Sequence, residues 1–198
     1  MKSNGSNKIN TAVFISGNGS NLKNLIKFSL SKKSPINIKF VLSDEKNAKG
    51  LRFPKFYNID YKIYNFSDKS KVDNEIIKDL KKKQIKLICL AGFLRILSKN
   101  FIKKFKNKIL NIHPSLLPKY KGLNTHKRVI ENNEKYTGCT VHVVNAKLDS
   151  GKIILQKKIK INKKDNYKSL AKKVLKQEHV LYPRAIKKFL ILKKKFYL

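Results

Sequence analysis

A chain of 198 residues with 41% hydrophobic content holds enough apolar material for a two- or three-layer core and is no disordered tail. Of its 47 basic residues only Arg52, Arg95, Arg128 and Arg184 are arginines, and against 12 acids they leave a net charge of +35. Lysine scattered over every polar face lacks the arginine forks and interleaved aromatics of a dedicated nucleic-acid reader; the charge reads as a composition bias that permits weak, non-specific RNA binding.

No run approaches the roughly 20 apolar residues of a membrane helix, and Met1–Asn10 is polar, without the apolar core of a signal peptide. Cys89 and Cys139 sit in apolar, strand-like runs with no metal-ligand spacing. They read as buried thiols in a reducing cytosol, so a cytoplasmic location is expected.

In chain order, Thr11–Ile15 is a short β-branched strand broken by Ser16-Gly17-Asn18-Gly19-Ser20-Asn21. Leu22, Leu25, Ile26 and Leu30 then recur at helical spacing, with Ser and Asn as cap candidates. A Gly-rich turn between a first strand and a helix is a ready anion site, because the opening N–H groups of the helix face outward and glycine lets a phosphate approach. The last glycine of the dinucleotide fingerprint falls on Leu22 and the Walker lysine is missing, so a phosphorylated metabolite fits better than NAD or ATP; a plain turn is the bland alternative.

Ile36–Ser43 reads as a strand, Ala48–Tyr57 as a helix, Tyr61–Tyr64 as a strand and Asp68–Lys83 as a basic amphipathic helix turned inward on Val72, Ile76, Ile77 and Leu80. Ile85–Leu90 is a continuous apolar strand, as a parallel sheet covered on both faces requires. Ala91–Leu97 follows with Arg95 in an apolar loop, and Ser98 caps a short helix ending near Phe105. The alternation predicts an α/β fold with ligands at the carboxyl ends of the strands.

Ile109–Tyr120 carries the chemistry. Asn111 and His113 flank Ile112, so at a strand's period of two they share one side, and Pro114 and Pro118 end the strand. An amide and an imidazole side by side suit developing negative charge; a core strand ending in two polar residues is the other reading. The connection to Thr125 is long enough to be a functional loop. Thr125–Asn133 is a helix, Thr137–Val144 and Lys152–Ile161 are strands around a turn holding Asp149, and Tyr167–Phe196 is helical, with Gln177-Glu178-His179 on one turn and a kink or restart at Pro183. Asp149 alone reads equally well as a turn aspartate bonded to its own backbone. His126 and His142 are expected to support rather than catalyse. With no repeat, linker or low-complexity tail, one domain over residues 1–198 is expected, residues 1–8 being a disordered extension.

Taken together, Ile15–Leu22, Leu90–Leu97, Asn111–Tyr120, Leu148–Gly151 running on to Ile154-Leu155-Gln156, and Gln177-Glu178-His179 resemble the phosphoribosylglycinamide formyltransferase family, folate-dependent enzymes of purine biosynthesis. Five ordered motifs at family spacing cover the chain beyond residue 8. The resemblance implies a single-domain Rossmann-like formyltransferase fold: a mostly parallel central sheet flanked by helices, with an antiparallel C-terminal strand pair. It implies a phosphate loop at Gly19, Ser20, Asn21, Leu22 and Lys23, a catalytic trio of Asn111, His113 and Asp149, and a substrate contact at Glu178. The folate pocket falls on Leu94, Arg95, Ile96, Leu97 and Asn111, with Lys69 where the family has an arginine, a change that keeps the charge and loses the bidentate fork. Lys121 stands in place of a family proline and Asn124 in place of a histidine, and a cis Leu117–Pro118 bond is implied.

The expected reaction transfers formyl from 10-formyltetrahydrofolate to glycinamide ribonucleotide, with no metal. Asn111 and a protonated His113 would donate to the former formyl oxygen, and Asp149 would raise the His113 pKa. Expected partners are these small molecules, with no specific nucleic acid and no membrane; a homodimer is the protein assembly considered. The rivals are methionyl-tRNA formyltransferase and formyltetrahydrofolate hydrolase, each expected to bring a further domain for which the chain ending at Leu198 leaves no room, and a non-catalytic basic RNA-binding module.

Overall fold

The computed structural model describes residues 8–196, and for Lys69 and residues 193–196 the backbone alone. The expected extension over residues 1–8 lies, but for residue 8, outside the described residues. By internal contacts the chain forms two compact units, one up to Ile109 and one from Leu110.

The first unit alternates strands and helices: β1 (Ile9–Ile15), α1 (Ser20–Leu30), β2 (Ile36–Ser43), a 3-10 turn η1 (Lys49–Leu51), α2 (Arg52–Phe56), β3 (Asp60–Ile63), α3 (Lys69–Lys82), β4 (Leu87–Leu90) and α4 (Lys99–Lys104). Its strands lie in the order β3-β2-β1-β4, and β1 pairs parallel with both β2 and β4. Ala12–Ile15 and Leu87–Cys89 are wholly or almost wholly buried, as expected of central parallel strands. Leu22, Leu25 and Ile26 of α1 and Ile76 and Leu80 of α3 are fully buried. Each such side chain contributes about 1.5–3 kcal/mol by leaving water.

Two local expectations change. The cap of α1 is Gly19, in the left-handed region at φ 69° with no side-chain hydrogen bond, and neither Ser20 nor Asn21 takes that place. The segment Ala48–Tyr57 divides into η1 and a five-residue α2. Gly50 explains both: its N–H donates to the Gly17 carbonyl at 2.9 Å, and a β-carbon on Gly19 would lie 2.6 Å from the Gly50 α-carbon. Two glycines let backbone meet backbone here.

The second unit holds β5 (Ile109–His113), α5 (Thr125–Glu131), β6 (Tyr136–Val143), β7 (Ile153–Lys160) and α6 (Tyr167–Phe196). β6 pairs antiparallel with β5 and with β7. The expected α/β class, with parallel strands first and an antiparallel C-terminal pair, is what the chain adopts. Pro183 lies inside α6, which continues past it. Tyr182 is fully buried and donates its hydroxyl to the Leu110 carbonyl at 3.0 Å, seating α6 on β5.

Candidate active site

In the second unit the antiparallel register sets Asn111 opposite His142 and His113 opposite Thr140. The β6–β7 turn brings Asp149 to the same place. Asp149 Oδ2 lies 3.3 Å from His113 Nδ1 and accepts the Gly122 N–H at 2.9 Å. Its Oδ1 faces Asn111 Nδ2 at 3.5 Å and His142 Nε2 at 3.6 Å. Asn111, His113 and Asp149 therefore converge, although 36 positions separate the last two.

Asp149 takes a left-handed backbone at φ 43°, which aspartate tolerates better than most residues, and its carboxylate is engaged by Gly122, His113, Asn111 and His142 outside its own turn. That decides against the local-turn reading. Burial pushes its pKa up, but the His142 hydrogen bond, the Gly122 N–H and the nearby imidazoles outweigh this and hold it below the usual carboxylate range.

His113 departs from expectation. Its Nε2 lies 2.8 Å from the Tyr120 carbonyl, which can only accept, so Nε2 carries hydrogen. Burial lowers the pKa of the ring; Tyr120 and Asp149 push it up and do not overcome burial. The imidazole titrates below its ordinary value, where the influence of Asp149 alone would have raised it.

His142 stands in the supporting place expected of it, beside Asn111 and Asp149. Its Nδ1 lies 3.1 Å from the Val143 carbonyl and so carries hydrogen, while its Nε2 faces both Asn111 Nδ2 at 3.2 Å and Asp149 Oδ1 at 3.6 Å. The amide nitrogen of Asn111 is thus held between His142 and Asp149. The only signal available beforehand was strand register.

The loop after β5 is tied down. Thr140 Oγ1 donates to the Ser115 carbonyl at 2.6 Å and accepts from Leu117 N and Gln156 Nε2. Arg128 Nη1 donates to the Lys121 carbonyl at 2.7 Å and its guanidinium stacks on Tyr120. Lys121 also reaches Ser150 Oγ at 2.5 Å, so the residue in place of proline is anchored at both ends. Asn124 adopts φ 56° before α5, a conformation asparagine tolerates better than most residues. Leu117–Pro118 is cis. On α6, Glu178 is buried and, after burial itself, helps push the Cys139 thiol up to about 12, which leaves that thiol inert.

The remaining expected residues lie in the first unit. Leu22 is fully buried, so its side chain meets no ligand. Lys23 N donates to Gly19 O at 2.9 Å, closing the first helical bond. The N–H groups of Ser20 and Leu22 precede that bond and have no partner within the helix, the arrangement that favours an anion. The Lys23 ammonium sits 5.5 Å over the Phe53 ring. Ser16 joins this turn to the 91–97 loop: its N–H donates to Gly92 O at 3.0 Å and its hydroxyl accepts from Leu94 N at 2.8 Å. Leu94 and Ile96 are about two-thirds exposed, whereas Leu97 is buried. Arg95 donates from Nε to Asp44 at 2.6 Å. The backbone of Lys69 opens α3, and its side chain lies outside the described residues. Among the described residues no group of His, Cys, Asp and Glu is arranged to hold a metal ion, and no helix is long and apolar enough to cross a membrane.

Comparison with known proteins shows the family. The family model described as formyl transferase matches residues 9–186. The phosphoribosylglycinamide formyltransferase of Haemophilus influenzae is 41% identical over 181 residues, covering 90% of this chain and 85% of the relative. The trifunctional purine biosynthetic protein adenosine-3 of Gallus gallus is 40% identical over 91% of this chain, which spans only 18% of that longer protein. The crystal structure of phosphoribosylglycinamide formyltransferase from Brucella melitensis matches with a TM-score of 0.88 at 39% identity, over 92% of this chain and 95% of that one. With the family model matching residues 9–186 and the similarity running nearly end to end, the chain belongs to the formyl transferase family, in its phosphoribosylglycinamide formyltransferase group.

Proposed function

We propose that this chain acts as one formyltransferase domain over residues 1–198 and transfers the formyl group of 10-formyltetrahydrofolate to the amino group of glycinamide ribonucleotide in purine biosynthesis. The observation that carries the reading is the cluster of Asn111, His113 and Asp149, which supplies hydrogen-bond donors beside a carboxylate. The amine nitrogen attacks the formyl carbon, negative charge collects on the former carbonyl oxygen, and the bond from that carbon to N10 then breaks. The proton lost by the amine goes to N10, directly or through water, so the products are the N-formyl amide and tetrahydrofolate.

His113 serves this scheme through Nε2–H. In the neutral ring that nitrogen already carries hydrogen, and the Tyr120 carbonyl that accepts it at 2.8 Å gives way to the reacting oxygen. Charge growing on that oxygen, with Asp149 behind the ring at 3.3 Å, raises the proton affinity of the imidazole as the reaction proceeds. Asn111 donates from its amide nitrogen as the reacting oxygen takes the place of the long 3.5 Å contact to Asp149, while His142 at 3.2 Å keeps the amide in position, and it also borders the folate. Gly19, Ser20, Asn21, Leu22 and Lys23 hold the substrate phosphate, Glu178 meets its glycinamide end, and Lys69 with Leu94–Leu97 takes the folate. A cytoplasmic location and small-molecule partners follow from this chemistry.

The test is formyl transfer by purified protein, followed by the absorbance of the folate product. Transfer to glycinamide ribonucleotide is expected. Transfer to an initiator tRNA instead would replace this reading with its nearest rival, and saturable RNA binding without any transfer would replace it with a basic binding module.

A further inference from the structure

A second concave surface of the first unit has no part in this chemistry. A cleft of about 390 Å³ is lined by Lys46, Lys49, Arg52, Lys55 and Tyr61, together with apolar and amide groups of the same segments. None of residues 17–23 lines it. Its volume falls within the range of small-molecule sites.

In a chain this rich in lysine, cations on a surface need no explanation. What sets this cleft apart is that four of them converge on one concavity lined by no carboxylate. Two other clefts of the same unit are balanced: one sets Lys71 beside Asp68 and Glu75, the other sets Lys39 beside Asp60. Elsewhere in the unit lysines find acids, as Lys62 does with Asp79 and Lys83 with Asp60. Among the described residues, Lys46, Lys49, Arg52 and Lys55 make no ion pair, and nearby Glu45 is turned to the Asn47 N–H instead. Two of the cations lie against rings, Arg52 at 4.8 Å from the centre of Phe53 and Lys55 at 5.9 Å from that of Tyr61. Like charges gathered in a cleft focus a positive potential that an anion relieves. A guanidinium adds a planar fork for phosphate oxygens, and Tyr61, 38% exposed, offers a ring face.

We propose that this cleft binds an oligophosphate group, carried by a nucleotide or as free polyphosphate. The cations of Lys46, Lys49, Arg52 and Lys55 take the phosphates, and a nucleotide would lay its base on Tyr61. Calorimetric titration of the full chain with inorganic tripolyphosphate, ATP and adenosine, at fixed salt, tests this. Saturable binding of tripolyphosphate is expected, and Lys49→Gln with Lys55→Gln is expected to weaken it about tenfold or more, as loss of charge-assisted hydrogen bonds does. Lys103→Gln with Lys104→Gln removes the same two charges from α4 and is expected to change it less than about twofold, since screened surface charges act weakly at a distance. ATP binding more tightly than tripolyphosphate, with the difference lost in Tyr61→Ala, identifies a nucleotide; equal affinities identify free polyphosphate. Equal weakening by both charge pairs, or no saturable binding to the unaltered chain, would overturn the proposal.

Discussion

Asp149 shows how one residue takes its meaning from four neighbours. Its Oδ2 accepts from Gly122 and faces His113, while its Oδ1 faces Asn111 and His142, so the carboxylate orients both expected donors. Asp149→Asn keeps the shape and removes the charge. It is expected to lower kcat about 10²–10⁴-fold, the range for losing an acid–base or oxyanion contribution, while KM for either substrate stays within a few-fold. Steady-state kinetics check this, and near-unaltered turnover would remove Asp149 from its assigned role. Sequence alone offered a turn aspartate as an equal reading, because no local pattern shows that a side chain is turned away from its own backbone.

Among the elements, the turns before α1 and after β5 are held in different ways. At Gly19 backbone meets backbone: a β-carbon would sit 2.6 Å from the Gly50 α-carbon at a φ of 69°. Gly19→Ala therefore combines a clash with a left-handed conformation that costs about 1–2 kcal/mol by itself. A stability loss of about 2 kcal/mol or more in urea denaturation is expected, with KM rising for the phosphorylated substrate more than for the folate. A larger effect on the folate would contradict the phosphate-loop assignment. The loop after β5 depends on Thr140, whose hydroxyl serves Ser115, Leu117 and Gln156 from a fully buried position. Thr140→Val leaves those groups unpaired at nearly constant volume, and a loss of about 1–3 kcal/mol in the same measurement is expected. A neutral result would mean that this hydroxyl does not hold the loop.

For the molecule as a whole, acid is the exposed weakness. His113, His126 and His179 are all held below the usual imidazole pKa, burial being the first cause in each. In the unfolded chain they titrate near about 6.5. The unfolded state therefore binds more protons in the window below that value, so the stability these residues provide is complete above it and is lost as pH falls through their folded pKa values. The urea midpoint is expected to be lower at pH 5 than at pH 7.5. Repulsion within a chain of net charge +35 also grows on acidification, but salt screens exposed charges and barely reaches buried rings. The acid loss should therefore persist at high salt; its disappearance there would assign it to surface repulsion.

The sequence by itself determined the alternation of strands and helices, the inward faces of α1 and α3, the cap at Ser98, and the pairing of Asn111 with His113 on one side of a strand. All of these were read from periodicity or from contacts within a few residues, which the chain carries locally; the Asp68 cap is one the structure added. Only the tertiary structure decided that Asp149 faces His113, that His142 stands opposite Asn111, that Gly50 rests on Gly19, and that burial outweighs Asp149 in setting the His113 titration. Those outcomes depend on strand register and on the exclusion of water, and neither is written in any short stretch of residues.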